Sequence, residues 1–172
     1  MKEGITRQGE FSTDKFCEIT GFKKPSNKSD SRGDAFYNDV WVEIKKNSLN
    51  QTRPYRYLPI IVHNDRTDEW FVIPPHEVIS SFLFNKQKLK KGQHTPNPMT
   101  CIGLGEISNK KFSKYKTTAE SLFDGVLSAF QAGENNIKYK NFAKKYEKKL
   151  EDDCLATEKE LINLHNEEGD CE

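Results

Sequence analysis

Long apolar runs are missing from this sequence, and so is any large net charge. No stretch approaches the roughly twenty consecutive apolar residues that a membrane-spanning helix needs. The opening segment MKEGITRQGE carries no apolar core of a secretory signal. The expectation is a protein with no membrane contact that works in the cytoplasm. Cysteine is sparse: Cys17, Cys101, Cys154 and Cys171 stand far apart, with no C-x-x-C pair and no neighbouring His. That excludes a zinc-ligand spacing and predicts free thiols in a reducing compartment. Internal repeats and long low-complexity tracts are absent too, which excludes solenoid architectures.

What is present is charge. Charged residues make up 31% of the chain and apolar ones only 34%, so the core must be compact and the surface ionic. A chain of 172 residues suffices for one domain with a real core. The formal net charge of +1 conceals an asymmetry: residues 1–146 hold 24 Lys or Arg against 16 Asp or Glu, whereas residues 147–172 hold 3 against 10. A basic body with an acidic tail reads as a nucleic-acid-binding surface followed by a solvating, dimerising or self-masking segment. By charge alone, an ordinary solvated helix end explains the tail equally well.

Patterning gives the elements. In residues 7–21, Phe11, Phe16 and Ile19 recur at helical spacing and Gly21 supplies a stop. A basic, Ser-rich connection follows, punctuated by Pro25 and Gly33. Four strand-like segments come next: AFY, VWVEIKK, LPIIVHN and EWFVI, with NDRTD as a hairpin connection between the last two. HEVISSFLF reads as a helix after Pro74-Pro75, TCIGLG as a short strand, and Thr117–Ala132 and Asn141–Leu164 as helices. The fold class expected is α/β or α+β, a mixed central sheet flanked by helices with a helical C-terminal extension. The expected division is a domain over residues 1–146 and an acidic helical tail over 147–172.

The chemistry concentrates in RGDAFYNDVWVEIKK. Alternation along a strand puts Val40, Val42 and Ile44 on one face and Trp41, Glu43 and Lys45 on the other. Asn38-Asp39 suits a tight hairpin turn, since Asn and Asp tolerate positive φ. Pairing is then fixed: Tyr37 opposite Val40, Phe36 opposite Trp41, Ala35 opposite Val42, and Asp34 opposite Glu43. Directly opposed residues have Cβ atoms about 4.5–5.5 Å apart, close enough for two carboxylates to share one cation. A hard divalent ion such as Mg²⁺ relieves their repulsion, and Mn²⁺ is expected to substitute. Lys45, about 6–7 Å further along the same face, is placed to polarise a water or steady a phosphate oxygen. Asp39 is rejected as a ligand because it lies about 13 Å from Glu43 along the strand. The competing reading is a half-exposed hairpin whose outer face happens to be charged, since E-x-K on a strand is common.

Gly33-Asp34 followed by an apolar strand ending in Glu43-Ile44-Lys45 resembles the active-site signature of the PD-(D/E)XK nuclease superfamily, which includes restriction endonucleases, Holliday junction resolvases and mismatch-repair nicking enzymes. The resemblance spans residues 7–80 and implies a restriction-endonuclease-like core. It further implies that Glu10, in the R-Q-G-E segment, joins the metal site and that Gln51 belongs to the catalytic set. Asp34 follows Gly33 here and not the Pro of the motif. The gap of eight residues between Asp34 and Glu43 is short, which keeps Asp30 as a fallback ligand. The activity implied is hydrolysis of a phosphodiester by metal-activated water.

Cations suited to DNA-backbone contact are Lys46, Arg53, Arg56, Lys90, Lys91, Lys110 and Lys111, joined by Gln93 and His94. The densest basic region, residues 86–116, would make binding strongly salt-dependent. Tyr57, Trp41 and Trp70 are expected to pack, and His76 and His94 have no recognisable partner as general bases. Leu150, Cys154, Leu161 and Leu164 fall near helical spacing and suit docking on the body or on a second copy. The reading is an Mg²⁺-dependent DNA endonuclease of restriction or defence type, expected as a homodimer because cutting both strands calls for two sites. Alternatives are a junction-resolving or repair nuclease, a non-catalytic nucleic-acid-binding module of the same fold, and an interaction domain working through its tail.

Overall fold

The backbone reverses at Asn38-Asp39, where Asn38 takes a left-handed φ of 50°. In the computed structural model, this turn joins strands β1 (Ala35–Tyr37) and β2 (Val40–Lys46) in the register expected from the sequence: Ala35 opposite Val42, Phe36 opposite Trp41 and Tyr37 opposite Val40. The structure describes residues 3–27, 32–48, 56–84, 90–91, 98–99 and 112–149.

Ahead of this hairpin runs helix α1 (Glu3–Thr20), ended by Gly21 at φ 80°. After it come β3 (Ile60–Asn64), β4 (Glu69–Ile73) and helix α2 (Pro75–Phe84). The described elements continue with the short pair β5 (Lys90–Lys91) and β6 (Pro98–Met99), a 3-10 turn at Ser113–Tyr115, strand β7 (Lys116–Thr117), and helices α3 (Leu122–Asn135) and α4 (Ile137–Lys149). The main sheet has the order β1-β2-β3-β4-β7. Only β2 and β3 run parallel; the other neighbours are antiparallel. The sheet is therefore mixed and flanked by helices, an α+β architecture. A parallel pair needs a long connection, here residues 47–59.

Both faces of the sheet are covered. On one, Val42, Ile44, Ile61, Trp70 and Val72 pack with Phe16 of α1, Phe22, and Leu122, Val126 and Ala129 of α3. On the other, Ile60, Val62, Phe71 and Ile73 pack with Val78 of α2 and Phe112. Strand β3 is buried along its whole length because it lies at the centre with layers above and below.

Two elements depart from the sequence reading. Thr117 is not helical: Lys116 and Thr117 pair with Phe71 and Trp70 and close the sheet edge. The Thr118 hydroxyl and carbonyl both accept the Ser121 N–H, holding a turn before α3 begins at Leu122. β-Branched residues such as Thr117 favour extended positions over helical ones. Residues 90–91, read as basic loop, form a two-residue strand. The change of charge at residue 147 falls inside α4, which runs unbroken from Ile137 to Lys149. The TCIGLG strand and residues 150–172 lie outside the described residues.

Tyr57 is half-buried. Its hydroxyl donates to the carbonyls of Gly133 at 2.7 Å and Asn136 at 3.2 Å, tying the approach to β3 to the C-terminal end of α3. Burial pushes this phenol well above its ordinary pKa.

Candidate active site

Strand β2 presents its two faces to different surroundings. Val42 and Ile44 enter the core beneath α1, so Glu43 and Lys45 project to the opposite face. Glu43 is only 7% exposed. The Lys45 ammonium meets its Oε1 at 2.9 Å. A polar group this buried needs a compensating partner, and Lys45 supplies it.

Asp34 is fixed from two directions. Its backbone N–H donates to the Val42 carbonyl at 2.9 Å, and its Oδ2 accepts the Ile44 N–H at 2.8 Å. It thereby bonds to the residues on both sides of Glu43. Simple alternation expects the Asp34 carboxylate to stand off the sheet face beside Glu43. Instead it turns toward β2 and serves as a ladder acceptor. The reason is topological: β1 begins at Ala35, so no carbonyl of β1 reaches Ile44. The other carboxylate oxygen, Oδ1, is not engaged by this bond, and Asp34 is exposed.

Gly33 permits this approach. A Cβ there would sit 2.8 Å from the Val42 carbonyl oxygen and 3.4 Å from both Leu58 and Trp41 atoms. Any residue with a Cβ, Pro included, would push Asp34 away from β2. A Pro at this position, as in the motif that the sequence resembles, would meet the same clash.

Glu10 is placed elsewhere. It is exposed on α1, and α1 packs through Phe16 on the sheet face opposite Glu43. Its charge is felt by Lys24, which is bonded to Asp14. Hydrogen bonding to Asp14 raises the Lys24 pKa, and Glu10 adds to the shift. Among the described residues, no three of His, Cys, Asp and Glu group so as to hold a metal ion, so Glu10 does not complete a three-ligand set with Asp34 and Glu43. Asp39 is exposed in the turn. Asp30 and Gln51 lie outside the described residues.

The two acids brought to β2 offer only oxygen. That suits a hard cation, since Mg²⁺ usually takes one or two carboxylates and keeps several waters. Asp34 and Glu43 are the residues that would hold such an ion.

The proposed DNA contacts scatter. Lys46 points to the face opposite Lys45 and pairs with Asp65 at 2.9 Å; this bond is the main reason the Asp65 carboxyl titrates below the ordinary range. Arg56 is half-buried at the entrance to β3. Lys90 and Lys91 lie in β5, opposite Met99 and Pro98. Lys114 approaches Glu77 at 3.8 Å, and Lys116 pairs with Glu69. Arg53, Gln93, His94, Lys110 and Lys111 lie outside the described residues.

One constellation gave no sequence signal. Ser12 Oγ lies 3.0 Å from His63 Nδ1, and His63 Nε2 lies 2.8 Å from Asp68 Oδ1. Asp68 also takes Lys15 at 2.6 Å, which with His63 holds its carboxyl below the ordinary range. An ionised carboxylate only accepts, so Nε2 is the donor to Asp68, and a ring protonated there alone would accept the Ser12 hydroxyl at Nδ1. The residue types match a nucleophilic triad. Their burial does not: Ser12 and His63 are each 1% exposed, and the imidazole is stacked on Trp70 at 4.0 Å. The chain of bonds ties α1 to the β3–β4 turn. Residues 51 positions apart share no local pattern that could have announced it.

Among the described residues, no helix is long and apolar enough to cross a membrane. Comparison with known proteins found no matching family model, no matching curated protein and no matching solved structure.

Proposed function

We propose that this chain is a metal-dependent DNA endonuclease that hydrolyses phosphodiester bonds. The observation that carries the reading is the buried Glu43, bonded to Lys45 at 2.9 Å and flanked by Asp34, whose carboxylate is anchored to the next residue of the same strand. Two acids and a lysine gathered on one edge hairpin suit phosphoryl chemistry. A divalent cation held by Asp34 and Glu43 would supply charge for the phosphate oxygens and lower the pKa of a bound water. Lys45 would deliver an ammonium to the phosphate or the attacking water when substrate competes for it. The basic body would hold the DNA backbone through its phosphates, and the basic region 86–116 could read a target. Within this class, a restriction or defence enzyme acting as a homodimer is preferred over a junction-resolving or repair nuclease, because the basic region from Lys86 onward exceeds what a minimal resolvase requires.

A second reading is a nucleic-acid-binding module that keeps such a fold without cleaving. It is favoured by the closed Glu43–Lys45 pair and by the lack of a third ligand among the described residues. Incubating supercoiled plasmid with the full chain in Mg²⁺, in Mn²⁺ and in EDTA separates the two. Metal-dependent nicking that Glu43→Gln and Lys45→Gln both abolish supports the nuclease. Salt-dependent binding with no nicking in any metal supports the module.

A further inference from the structure

The large aromatic side chains of this fold differ in burial. Phe16, Trp70, Phe71 and Phe112 are at most 1% exposed. Phe36 and Trp41 are not: both remain partly exposed, although they are direct cross-strand partners near the edge of the sheet. Their rings stack with centroids 4.8 Å apart and planes 29° from parallel. The Arg32 guanidinium lies over the Trp41 ring, 4.4 Å from its centroid. Alternation along β2 puts this stack on the same face as Glu43 and Lys45, with Trp41 one pleat repeat, about 6–7 Å, from Glu43.

We infer that Arg32, Trp41 and Phe36 form a platform for an unpaired DNA base beside the cleavage site, so that the preferred substrate carries a single-stranded or unstacked nucleotide. The inference rests on the nuclease reading of Glu43 and Lys45 for its placement. The chemistry is direct. A base inside a continuous duplex has both faces covered by its neighbours, whereas an unpaired base offers a π-face to an aromatic ring or to a guanidinium plane. Arg32 combines the two functions the site needs, since a guanidinium stacks on rings and forks onto phosphate oxygens. A base that takes its place over Trp41 frees it to meet the adjoining phosphate. The extended strand then continues toward Lys45 on the same face.

The cross-strand stack also stabilises the hairpin, so the decisive measurement uses the unaltered chain. Trp70 is buried and stacked on His63, which leaves Trp41 as the tryptophan that DNA can quench. In EDTA, to prevent cleavage, a short single-stranded DNA should quench the fluorescence saturably, and a blunt duplex of the same sequence should not. Trp41→Leu, which keeps apolar bulk in the hairpin, should weaken single-strand binding about 5- to 100-fold and leave duplex binding unchanged. Equal quenching by duplex and single strand, or unaltered single-strand affinity in Trp41→Leu, would overturn the platform. Tighter binding of the matching RNA would overturn its assignment to DNA. Quenching with no plasmid nicking in any metal keeps the platform and rejects the nuclease; nicking without quenching does the reverse.

Discussion

The Asp34 carboxylate accepts the backbone N–H of Ile44 at 2.8 Å and so acts as a piece of strand where β1 has run out. Charge and hydrogen bonding at this position can therefore be separated. Asp34→Asn keeps an acceptor for Ile44 and should leave the thermal midpoint within a few degrees of the parent. Asp34→Ala removes it and should cost about 1 kcal/mol, as for a typical net hydrogen bond. Both should lose metal-dependent nicking. Thermal melts beside the plasmid assay check this, and an active Asp34→Asn would remove Asp34 from the metal site.

Glu43 and Lys45 should be coupled energetically. Lys45→Met leaves Glu43 buried without its cation and should destabilise by about 1–3 kcal/mol, below the value for a fully dry pair because the Lys45 side chain stays 22% exposed. The double change Glu43→Leu with Lys45→Met should recover much of that loss, since a buried pair often contributes little beyond an apolar replacement. Urea unfolding of the four proteins of this cycle measures the coupling. Additive losses would mean that the two groups do not interact.

Gly133 sets a different test. Ala is favoured over Gly in a helix by about 1 kcal/mol, yet a Cβ at Gly133 would overlap the ring of Pro75 at the start of α2. The ring is rigid, so the overlap should win. Gly133→Ala is expected to lose about 1–3 kcal/mol, the usual cost of overpacking. A gain in melting temperature would show that α2 and α3 can slide apart freely.

Acid should loosen the fold through its surface carboxylates. Asp65, Asp68 and Glu69 are all held below the ordinary range, by Lys46, by Lys15 with His63, and by Lys116 respectively. A depressed folded-state pKa gives stability that is complete above the unfolded value, about 4, and lost as pH falls through the folded one. The groups are exposed or partly exposed and solvent-screened, so each contribution is small. Urea midpoints measured from pH 7 to pH 2.5 should fall most steeply below about pH 4, and Asp68→Asn should flatten part of that slope.

The hairpin was legible because its determinants are local. Asn38-Asp39 fixes the turn, and alternation in VWVEIKK assigns the faces, so Glu43 and Lys45 were found side by side. The parallel pairing of β2 with β3 was not legible beyond an expectation of a mixed sheet, because it depends on residues 47–59 carrying the chain back to the start of β3. The direction of the Asp34 carboxylate was misjudged for a related reason. Alternation describes a strand with a partner, and position 34 lies just before the strand begins. Glu10 was carried by resemblance alone, and the packing of α1 on the far face separates it from Glu43. Ser12, His63 and Asp68 come from three elements and meet only once the sheet has assembled.

The outermost strands of the main sheet are both stubs. β1 has three residues, with Phe36 already occupied on its outer side by Lys23, and β7 has two. Little backbone is left there for another chain to zip onto. Among the described residues, self-association into extended β-structure is thereby guarded against at both margins of the main sheet.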